Sequence, residues 1–292
     1  MKHRYKINEK FDGYKLRDYL LSFYLGKTKV YNLINEGKIS KNNNVLKENS
    51  ILKTNDIIEI DVCEEIDFLP LEKKLDIIYE DDYFLFVNKP KNIIVHPDEK
   101  MKNGTMCNVV SYYYHNKNLN LSVKYAHRLD TDTTGILMFA KDVLSSAYLH
   151  HIISTHELKR TYLCLCEGIF KNKNDTIDLP IGEDRHHNQR RRVSKTGQTA
   201  ITHYEVINEF NGYSLVKVIL ETGRTHQIRV HMSHIGHPLV GDVLYGGKPN
   251  LRVMLHSYQV EFYHPLKDEM MSIKKDITFD MKELIKKGGK KK

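Results

Sequence analysis

The sequence is most informative at Ala126-His127-Arg128-Leu129-Asp130-Thr131-Asp132-Thr133-Thr134-Gly135-Ile136-Leu137. This stretch places an arginine, two carboxylates and three threonine hydroxyls in a polar turn, directly ahead of an apolar strand predicted over Gly135 to Ala140. A carboxylate in this position stands on rigid backbone at the edge of the core, as catalytic groups often do. An isolated Arg-x-Asp is more often a surface ion pair, so the stretch gains its meaning from two further segments.

The second segment is Leu158-Lys159-Arg160-Thr161-Tyr162-Leu163-Cys164-Leu165, in which a basic pair leads into a strand that begins near Tyr162. Taken alone, Tyr162 is typical of a sheet tyrosine with a satisfied hydroxyl. The third segment is Glu221-Thr222-Gly223-Arg224-Thr225-His226-Gln227-Ile228-Arg229-Val230-His231. Here Gly223 turns the chain into a helix predicted to carry Arg224 and Arg229, which suits anion binding. An ordinary basic helix face is the alternative.

Strands and helices alternate irregularly through residues 71–285, which predicts one large mixed domain. The predicted strands are rich in β-branched and aromatic residues. They are Tyr83 to Val87, Gly135 to Ala140, Thr161 to Cys166, Ala200 to Ile207 and Ser214 to Glu221. The predicted helices are Thr105 to His115, Val143 to Ser154 and Thr225 to Ile235.

The N-terminal part has a different order of predicted elements, typical of a helical hairpin followed by a small sheet. Leu16, Tyr19, Leu20 and Phe23 follow the spacing of one apolar helix face. We expect Thr28 to cap a second helix and Gly37 to follow its end. Short strands are predicted at Lys38 to Ser40 and Ile57 to Val62, with Asn42 to Asn44 as a turn.

Composition and charge limit the class of protein. The chain has 292 residues and a formal net charge of +8, and its pI of about 9.0 suggests a polyanionic partner, although a solvated basic surface is equally compatible. No apolar run approaches the length of a membrane span. A polar start and four cysteines without a Cys-x-x-Cys pair predict a cytoplasmic protein that binds no membrane.

Four histidines near the third segment raise the possibility of a metal site. His226, His231, His234 and His237 are spaced by five, three and three residues. Helical zinc sites use i, i+4 pairs completed by a carboxylate or cysteine, so the spacing disfavours zinc. We expect no metal, and a histidine-rich metal hydrolase remains as a minor alternative.

Together the three segments resemble the RluA family of pseudouridine synthases. The His-Arg-Leu-Asp box, the Arg-Thr-Tyr strand, the Gly-Arg-Thr-His-Gln-Ile-Arg-Val-His helix and Gly236-His237-Pro238-Leu239-Val240-Gly241-Asp242 occur in the family's order. Thr134 departs from the family, which usually has serine there. The resemblance implies an α+β fold with a mixed, largely antiparallel sheet in a catalytic domain over 71–285. It also implies isomerisation of uridine in RNA to pseudouridine, with no cofactor.

The resemblance also implies residue roles. Asp130 matches the catalytic aspartate, a carboxylate nucleophile that attacks either the base or the sugar. Arg229 matches the arginine that pairs with it and keeps the carboxylate charged. Tyr162 matches the tyrosine that stacks on the base, and its hydroxyl is a candidate for removing the ring-carbon proton. Arg128 matches an arginine that fills the gap left by a flipped nucleotide.

Residues 12–62 resemble the small RNA-binding S-four domain, and we expect an α/β RNA-binding domain over 12–66. Its match rests on Leu16-Arg17-Asp18-Tyr19-Leu20, Val30 to Ile39 and Asn55 to Ile60. The candidate RNA contacts are Lys27, Lys29 and Lys38 in this domain, and Arg190, Arg191, Arg192 and Arg224 in the large one. A basic tail, 286–292, is predicted to be disordered.

The resulting hypothesis is an RNA pseudouridine synthase that requires no protein partner and behaves as a monomer. Structured ribosomal RNA of the large subunit is the first expected substrate, and transfer RNA is the second. A non-catalytic RNA-binding factor in ribosome assembly is the alternative from another class. The simultaneous presence of Asp130, Tyr162 and Arg229 argues against it.

Overall fold

The computed structural model of the protein describes residues 2–61, 68–99, 101–187 and 189–288. Residues 2–61 form a small N-terminal module, and residues 68–288 form a large module. The N-terminal module contains β1 (Lys2–Lys6), a 3₁₀ turn (Glu9–Phe11), α1 (Leu16–Ser22), α2 (Lys27–Asn35), β2 (Ile39–Lys41), β3 (Asn44–Val45) and β4 (Ile57–Asp61). Its four strands form an antiparallel sheet in the order β1-β4-β2-β3.

The N-terminal module confirms the predicted helix pair and differs from the prediction in two details. Thr28 lies inside α2, and the capping position is Gly26, which offers no side-chain hydrogen bond. The sheet also includes β1, which precedes the predicted start at residue 12, because β1 pairs along its whole length with β4. Asn42 and Asn43 both have positive φ and close the predicted hairpin turn as in a type I′ turn.

The large module is built on one broad sheet with helices packed against it. Its helices are α3 (Met106–Asn116), α4 (Val143–Ser154), α5 (Gln227–His234) and α6 (Phe279–Gly288), with a 3₁₀ turn at Val243–Tyr245. Its strands are β5 (Ile77–Glu80), β6 (Phe84–Lys89), β7 (Lys124–Tyr125), β8 (Thr134–Ala140), β9 (Lys159–Glu167), β10 (Asn174–Asp178), β11 (Ile181–Glu183), β12 (Arg191–Val193), β13 (Ile201–Glu209), β14 (Tyr213–Leu220), β15 (Leu255–His264) and β16 (Glu269–Lys274).

The central sheet follows the order β10-β13-β14-β9-β15-β8-β6-β5, with β16 beside β15 and β7 beside β8. The pairing of β8 with β15 is parallel, and the other pairings between described strands are antiparallel. This confirms the predicted α+β fold with a mixed, largely antiparallel sheet. The predicted strands and helices occur within a few residues of their expected positions. One difference matters for the site, because α5 begins at Gln227 and leaves Arg224 ahead of the helix.

The two modules share an apolar core and specific polar contacts. One core cluster contains Tyr5 and Leu20 of the N-terminal module together with Phe84 and Leu149 of the large module. The Tyr5 hydroxyl donates to Asp142 Oδ1 at 2.6 Å, and Asp142 also caps α4. This hydrogen bond joins residues far apart in sequence, so the N-terminal module is held in a defined orientation relative to the large one.

The chain end differs from the sequence prediction. Helix α6 continues to Gly288, so Lys286 and Lys287 belong to a helix and not to a disordered tail. Residues 289–292 of the predicted tail and residues 62–66 of the predicted domain boundary lie outside the described residues. Among the helices that the structure describes, none is both long and apolar enough to cross a membrane.

Candidate active site

Asp130 lies in a tight turn at the start of the fully buried strand β8. The Thr133 backbone N–H donates to the Asp130 carbonyl at 3.1 Å and closes the turn. The preceding Leu129 is buried in the core, whereas the side chain of Asp130 is 28% exposed. Its carboxylate therefore stands on rigid backbone and remains open to a substrate, as its position ahead of an apolar strand suggested.

A buried lysine anchors this turn from the neighbouring strand. Lys89, at the end of β6, is fully buried and donates from Nζ to the carbonyl oxygens of Thr131, at 2.8 Å, and Pro90, at 2.9 Å. Burial lowers the pKa of Lys89 to about 7, although the charges of Asp130 and Asp132 oppose the shift. Sequence reasoning missed Lys89, because the Thr131 carbonyl that it binds lies 42 residues farther along the chain.

Arg229 on α5 joins two carboxylates. Its Nη1 lies 3.2 Å from Asp130 Oδ2, while its Nε and Nη2 form a bidentate pair with Asp242 at 2.7 and 2.9 Å. Its guanidinium also lies 5.0 Å from the ring centre of Tyr245. Burial alone would lower the pKa of Arg229, but the hydrogen bonds and charge of Asp242 outweigh burial and raise that pKa. The arginine is thus permanently charged, and Asp242 holds its guanidinium from the side opposite Asp130.

Tyr162 lies near the centre of the sheet, two strands from β8. Its partner in β15 is Ser257, which in turn is paired with Gly135 of β8. Tyr162 is only 5% exposed and packs in the same apolar cluster as Leu129 and Ile228. Burial raises the pKa of Tyr162, Arg160 opposes the shift, and the nearby charge of Asp130 raises it further. The structure therefore brings Tyr162 to the same end of the sheet as Asp130.

The predicted RNA contacts fall into two groups. Arg128 is exposed beside Asp130, and Arg192 is exposed on β12. The Arg190 guanidinium lies 5.5 Å from the ring centre of Tyr245, and the Arg191 backbone N–H donates to the Tyr245 hydroxyl at 2.8 Å. Arg190 and Arg191 therefore contact Tyr245, whose ring in turn lies over Arg229 beside the carboxylate.

The other predicted contacts lie in the N-terminal module or just before α5. Lys27 and Lys29 are exposed on α2, and Lys38 is half-buried just before β2, so all three belong to the N-terminal module. Arg224 is exposed and donates from Nε to the Thr199 carbonyl at 2.9 Å. Contrary to the prediction, Arg224 is outside the helix, because the chain makes an extra turn at Thr225 and His226.

The clustered histidines point in different directions. His226 Nδ1 lies 2.8 Å from the Tyr245 hydroxyl, whereas His231 contacts Thr202 and a backbone carbonyl. His237 stacks on a phenylalanine near β9, and His234 is exposed. Within the described ranges, no group of three or more histidine, cysteine, aspartate or glutamate side chains is arranged to hold a metal ion.

Besides Lys89, three residues of the site were not assigned a role from the sequence. Asp242 is the last residue of the Gly236 to Asp242 motif, and its side chain has no exposed surface. A buried carboxylate needs a charged partner, and here that partner is Arg229. Tyr245 and His226 form a hydrogen-bonded pair beside Asp130, with His226 Nε2 3.8 Å from Asp130 Oδ2. The position of His226 between Arg224 and Arg229 could have indicated a site residue from the sequence. No sequence pattern indicated Tyr245.

The family of the protein follows from comparison with known proteins. A family model described as RNA pseudouridylate synthase matches residues 83–234, about half of the chain and all of the segments that carry Asp130, Tyr162 and Arg229. The chain belongs to the RNA pseudouridylate synthase family. Its relatives place it in the RluA group of that family, and it is an RNA pseudouridine synthase.

The similar proteins support this assignment over most of the chain. The chain is 41% identical over 287 residues to "Uncharacterized RNA pseudouridine synthase YhcT" of Bacillus subtilis (strain 168), covering 96% of this chain and 95% of that protein. It is 36% identical over 238 residues to "Ribosomal large subunit pseudouridine synthase D" of Escherichia coli (strain K12), covering 76% and 73% of the two chains. The solved structure of human RNA Pseudouridylate Synthase Domain Containing 4 shares the fold, with a TM-score of 0.61, 20% identity and coverage of 72% of this chain and 92% of that one.

Proposed function

We propose that this enzyme isomerises specific uridines of large-subunit ribosomal RNA, with Asp130 as the nucleophile. The observation that carries the proposal is the ion pair at 3.2 Å between the partly exposed Asp130 and the buried Arg229, which lies inside the family match. The guanidinium of Arg229 lies beside the carboxylate, and the carboxylate is the nucleophilic form of an aspartate. Because Asp242 holds the far side of Arg229, the pair is preorganised before RNA binds.

Asp130 attacks either the uracil ring or the sugar carbon, and both routes detach the base so that it can rejoin through a ring carbon. Atoms are neither gained nor lost in this isomerisation. Tyr162 is assigned to stack on the base, and because its ring is 5% exposed in the free enzyme, RNA binding has to uncover it. Because the pKa of Tyr162 is raised, its hydroxyl keeps its proton in the free enzyme. Removal of the ring-carbon proton by Tyr162 therefore requires its hydroxyl to lose that proton first.

Access of the uridine to Asp130 requires that the nucleotide leaves the stack. The exposed Arg128, next but one to Asp130, is placed to occupy the vacated position. Arg190, Arg191 and Arg192 extend the positive surface beside the site, where they bind phosphates. Arg224 adds a further exposed charge just before α5.

The N-terminal module supplies a second RNA contact, as expected for an S-four-like domain. Lys27 and Lys29 are exposed on α2, and Lys27 lines a groove of about 400 Å³ together with Arg17 and Tyr31. Exposed cations with an exposed tyrosine suit single-stranded or looped RNA. Since Tyr5 ties this module to Asp142, the two RNA-binding surfaces keep a fixed separation, which favours a folded RNA such as ribosomal RNA.

The test is pseudouridine mapping by chemical labelling of total RNA from cells that lack the endogenous enzyme. These cells would express the wild type, Asp130→Asn, or Asp175→Asn. Asp175 is an exposed carboxylate on β10 and serves as the matched control. We expect discrete sites in large-subunit ribosomal RNA with the wild type and the control, and none with Asp130→Asn.

Each other outcome changes a particular part of the proposal. Loss of sites in transfer RNA with Asp130→Asn would keep the nucleophile and overturn the substrate. Persistence of the sites with Asp130→Asn would overturn the nucleophile. A Tyr162→Phe enzyme that still forms pseudouridine would show that the ring is sufficient and that another group removes the proton.

A further inference from the structure

We infer that Tyr245 and His226 form a hydrogen-bonded relay that orients Asp130, with Tyr245 fixing which nitrogen of His226 carries the proton. This inference rests on the proposed role of Asp130 as the nucleophile. Both residues are positioning residues, since neither is proposed to touch the base. The relay connects the basic β11–β12 hairpin to the carboxylate through two side chains.

The hydrogen bonds around the Tyr245 hydroxyl determine its direction. The Arg191 backbone N–H donates to the hydroxyl oxygen at 2.8 Å. His226 Nδ1 lies at 2.8 Å from the same oxygen. A phenol has one hydrogen to donate, and the hydrogen bond that one imidazole nitrogen makes decides which nitrogen is protonated. With its oxygen already accepting from Arg191, Tyr245 donates its hydrogen to Nδ1.

The proton of neutral His226 therefore lies on Nε2, the nitrogen that faces the catalytic carboxylate. Nε2 is 3.8 Å from Asp130 Oδ2, an approach that closes to a hydrogen bond when substrate fills the site. Arg229 contacts the same oxygen at 3.2 Å. Both contacts fall on Oδ2, so they turn Oδ1 towards the reacting carbon. The opposite tautomer would place a lone pair against Oδ2 and push the carboxylate away.

The backbone holds His226 in an uncommon conformation that supports this role. His226 has φ 58° and ψ 19°, in the left-handed region, at the residue that precedes α5. Only a few per cent of residues other than glycine adopt this conformation, and it persists where surrounding contacts enforce it. The strained turn aims the imidazole between Tyr245 and Asp130. The ring of Tyr245 also lies edge-on to the imidazole, with 5.6 Å between ring centres.

The electrostatic surroundings keep the imidazole neutral. Burial lowers the pKa of His226, the charges of Asp130 and Asp242 oppose this, and those of Arg229 and Arg191 reinforce it. Donation by the Tyr245 hydroxyl to Nδ1 stabilises the neutral form further. Loss of that hydroxyl should raise the pKa of His226. The acid limb of the pH–rate profile should then move to higher pH.

The kinetic test uses Tyr245→Phe, which keeps the ring over Arg229 and removes only the hydroxyl. We expect kcat to fall about tenfold, the value of one hydrogen bond, with KM changed less than about twofold. His226→Asn keeps a polar group near Tyr245 and removes the Nε2 donor, so it should lose about the same factor. The double variant should be no slower than either single one, because both break one relay.

Tyr148→Phe provides the matched control for loss of a tyrosine hydroxyl. Tyr148 is buried on α4, and its hydroxyl donates to the Tyr263 carbonyl at 2.7 Å, in the core shared by the two modules. This variant should keep the wild-type kcat and pH profile. A fall in kcat with Tyr148→Phe equal to that with Tyr245→Phe would overturn the relay, because the effect would then come from a generally loosened fold.

A direct measurement determines the tautomer in the wild-type protein and needs a variant only to assign the signals. Nitrogen NMR of the ¹⁵N-histidine wild-type protein identifies the protonated nitrogen of His226, with His226→Asn used to assign its signals. We expect Nε2–H, and observation of Nδ1–H would overturn the inference. Multiplicative losses in the double variant would also overturn it, as would an unshifted acid limb in Tyr245→Phe. If Asp130→Asn remained active, the proposed nucleophile itself would fail, which is a separate result.

Discussion

Replacement of Asp242 by asparagine should destabilise the protein and slow the reaction, because Asp242 is the main partner of a buried cation. The side chain of Asp242 has no exposed surface, and that of Arg229 is 10% exposed. Asparagine can accept only one of the two hydrogen bonds, at 2.7 and 2.9 Å, that the carboxylate now accepts. It also presents an amide N–H₂ to a guanidinium and leaves the positive charge balanced by Asp130 alone.

The expected magnitude follows from these contacts. Breaking a buried ion pair by changing one partner costs about 3–5 kcal/mol. For a chain of this length each kcal/mol lowers Tm by roughly 2 °C, so Tm should fall by roughly 6–10 °C. At a temperature where the variant remains folded, kcat should fall at least about tenfold, since Arg229 is released from the position in which it contacts Asp130.

The assay combines thermal unfolding, followed by circular dichroism, with single-turnover pseudouridine formation on a ribosomal RNA fragment. Asp280→Asn is the matched control, because Asp280 forms a similar bidentate pair with the buried Arg252. Arg252 retains backbone acceptors at Val253 and Leu255, so this variant should lose less stability and keep its kcat. An Asp242→Asn protein that unfolds within about 2 °C of the wild type would refute the reasoning.

Three further predictions concern the strands around the site. Lys89→Met should slow the reaction by freeing the Thr131 carbonyl. Between pH 7 and 10 the lysine binds its proton in the unfolded chain but not in the folded one. In urea unfolding over this pH range, wild-type stability relative to the variant should therefore rise by up to about 1.4 kcal/mol per pH unit. Gly135→Ala should yield little folded protein by circular dichroism, since Gly135 has φ 103° and an added Cβ would overlap the Ser257 backbone; normal yield and Tm would contradict this. The pKa of the buried His256 is lowered to about 4, so the unfolded chain binds its proton first as pH falls below about 6.5. Wild-type stability should be lost between pH 6.5 and 4, and His256→Gln should show a shallower loss in the same urea titrations.

The elements that could be predicted from the sequence are those that local rules specify. Helix α4 has the predicted bounds because Asp142 caps it and its apolar residues follow a helical period. The hairpin at Asn42 and Asn43 was predictable because asparagine tolerates positive φ. The position of Asp130 just before a buried strand was visible in the order of polar and apolar residues alone. Errors fell at helix starts, as at Thr28 and Arg224, where the first turn depends on packing.

The partners of those residues were decided by tertiary structure. Lys89 and Thr131 meet because β6 lies beside β8, and Tyr5 meets Asp142 because the two modules share one core. Which buried charges pair, and therefore which protonation states they keep, depends on distances that only the folded sheet defines. The sequence thus indicated Asp130, Tyr162 and Arg229 as candidate reactive groups. Their pairing, with Arg229 held by Asp242 and Tyr245 placed beside His226, came from contacts between segments brought together by folding.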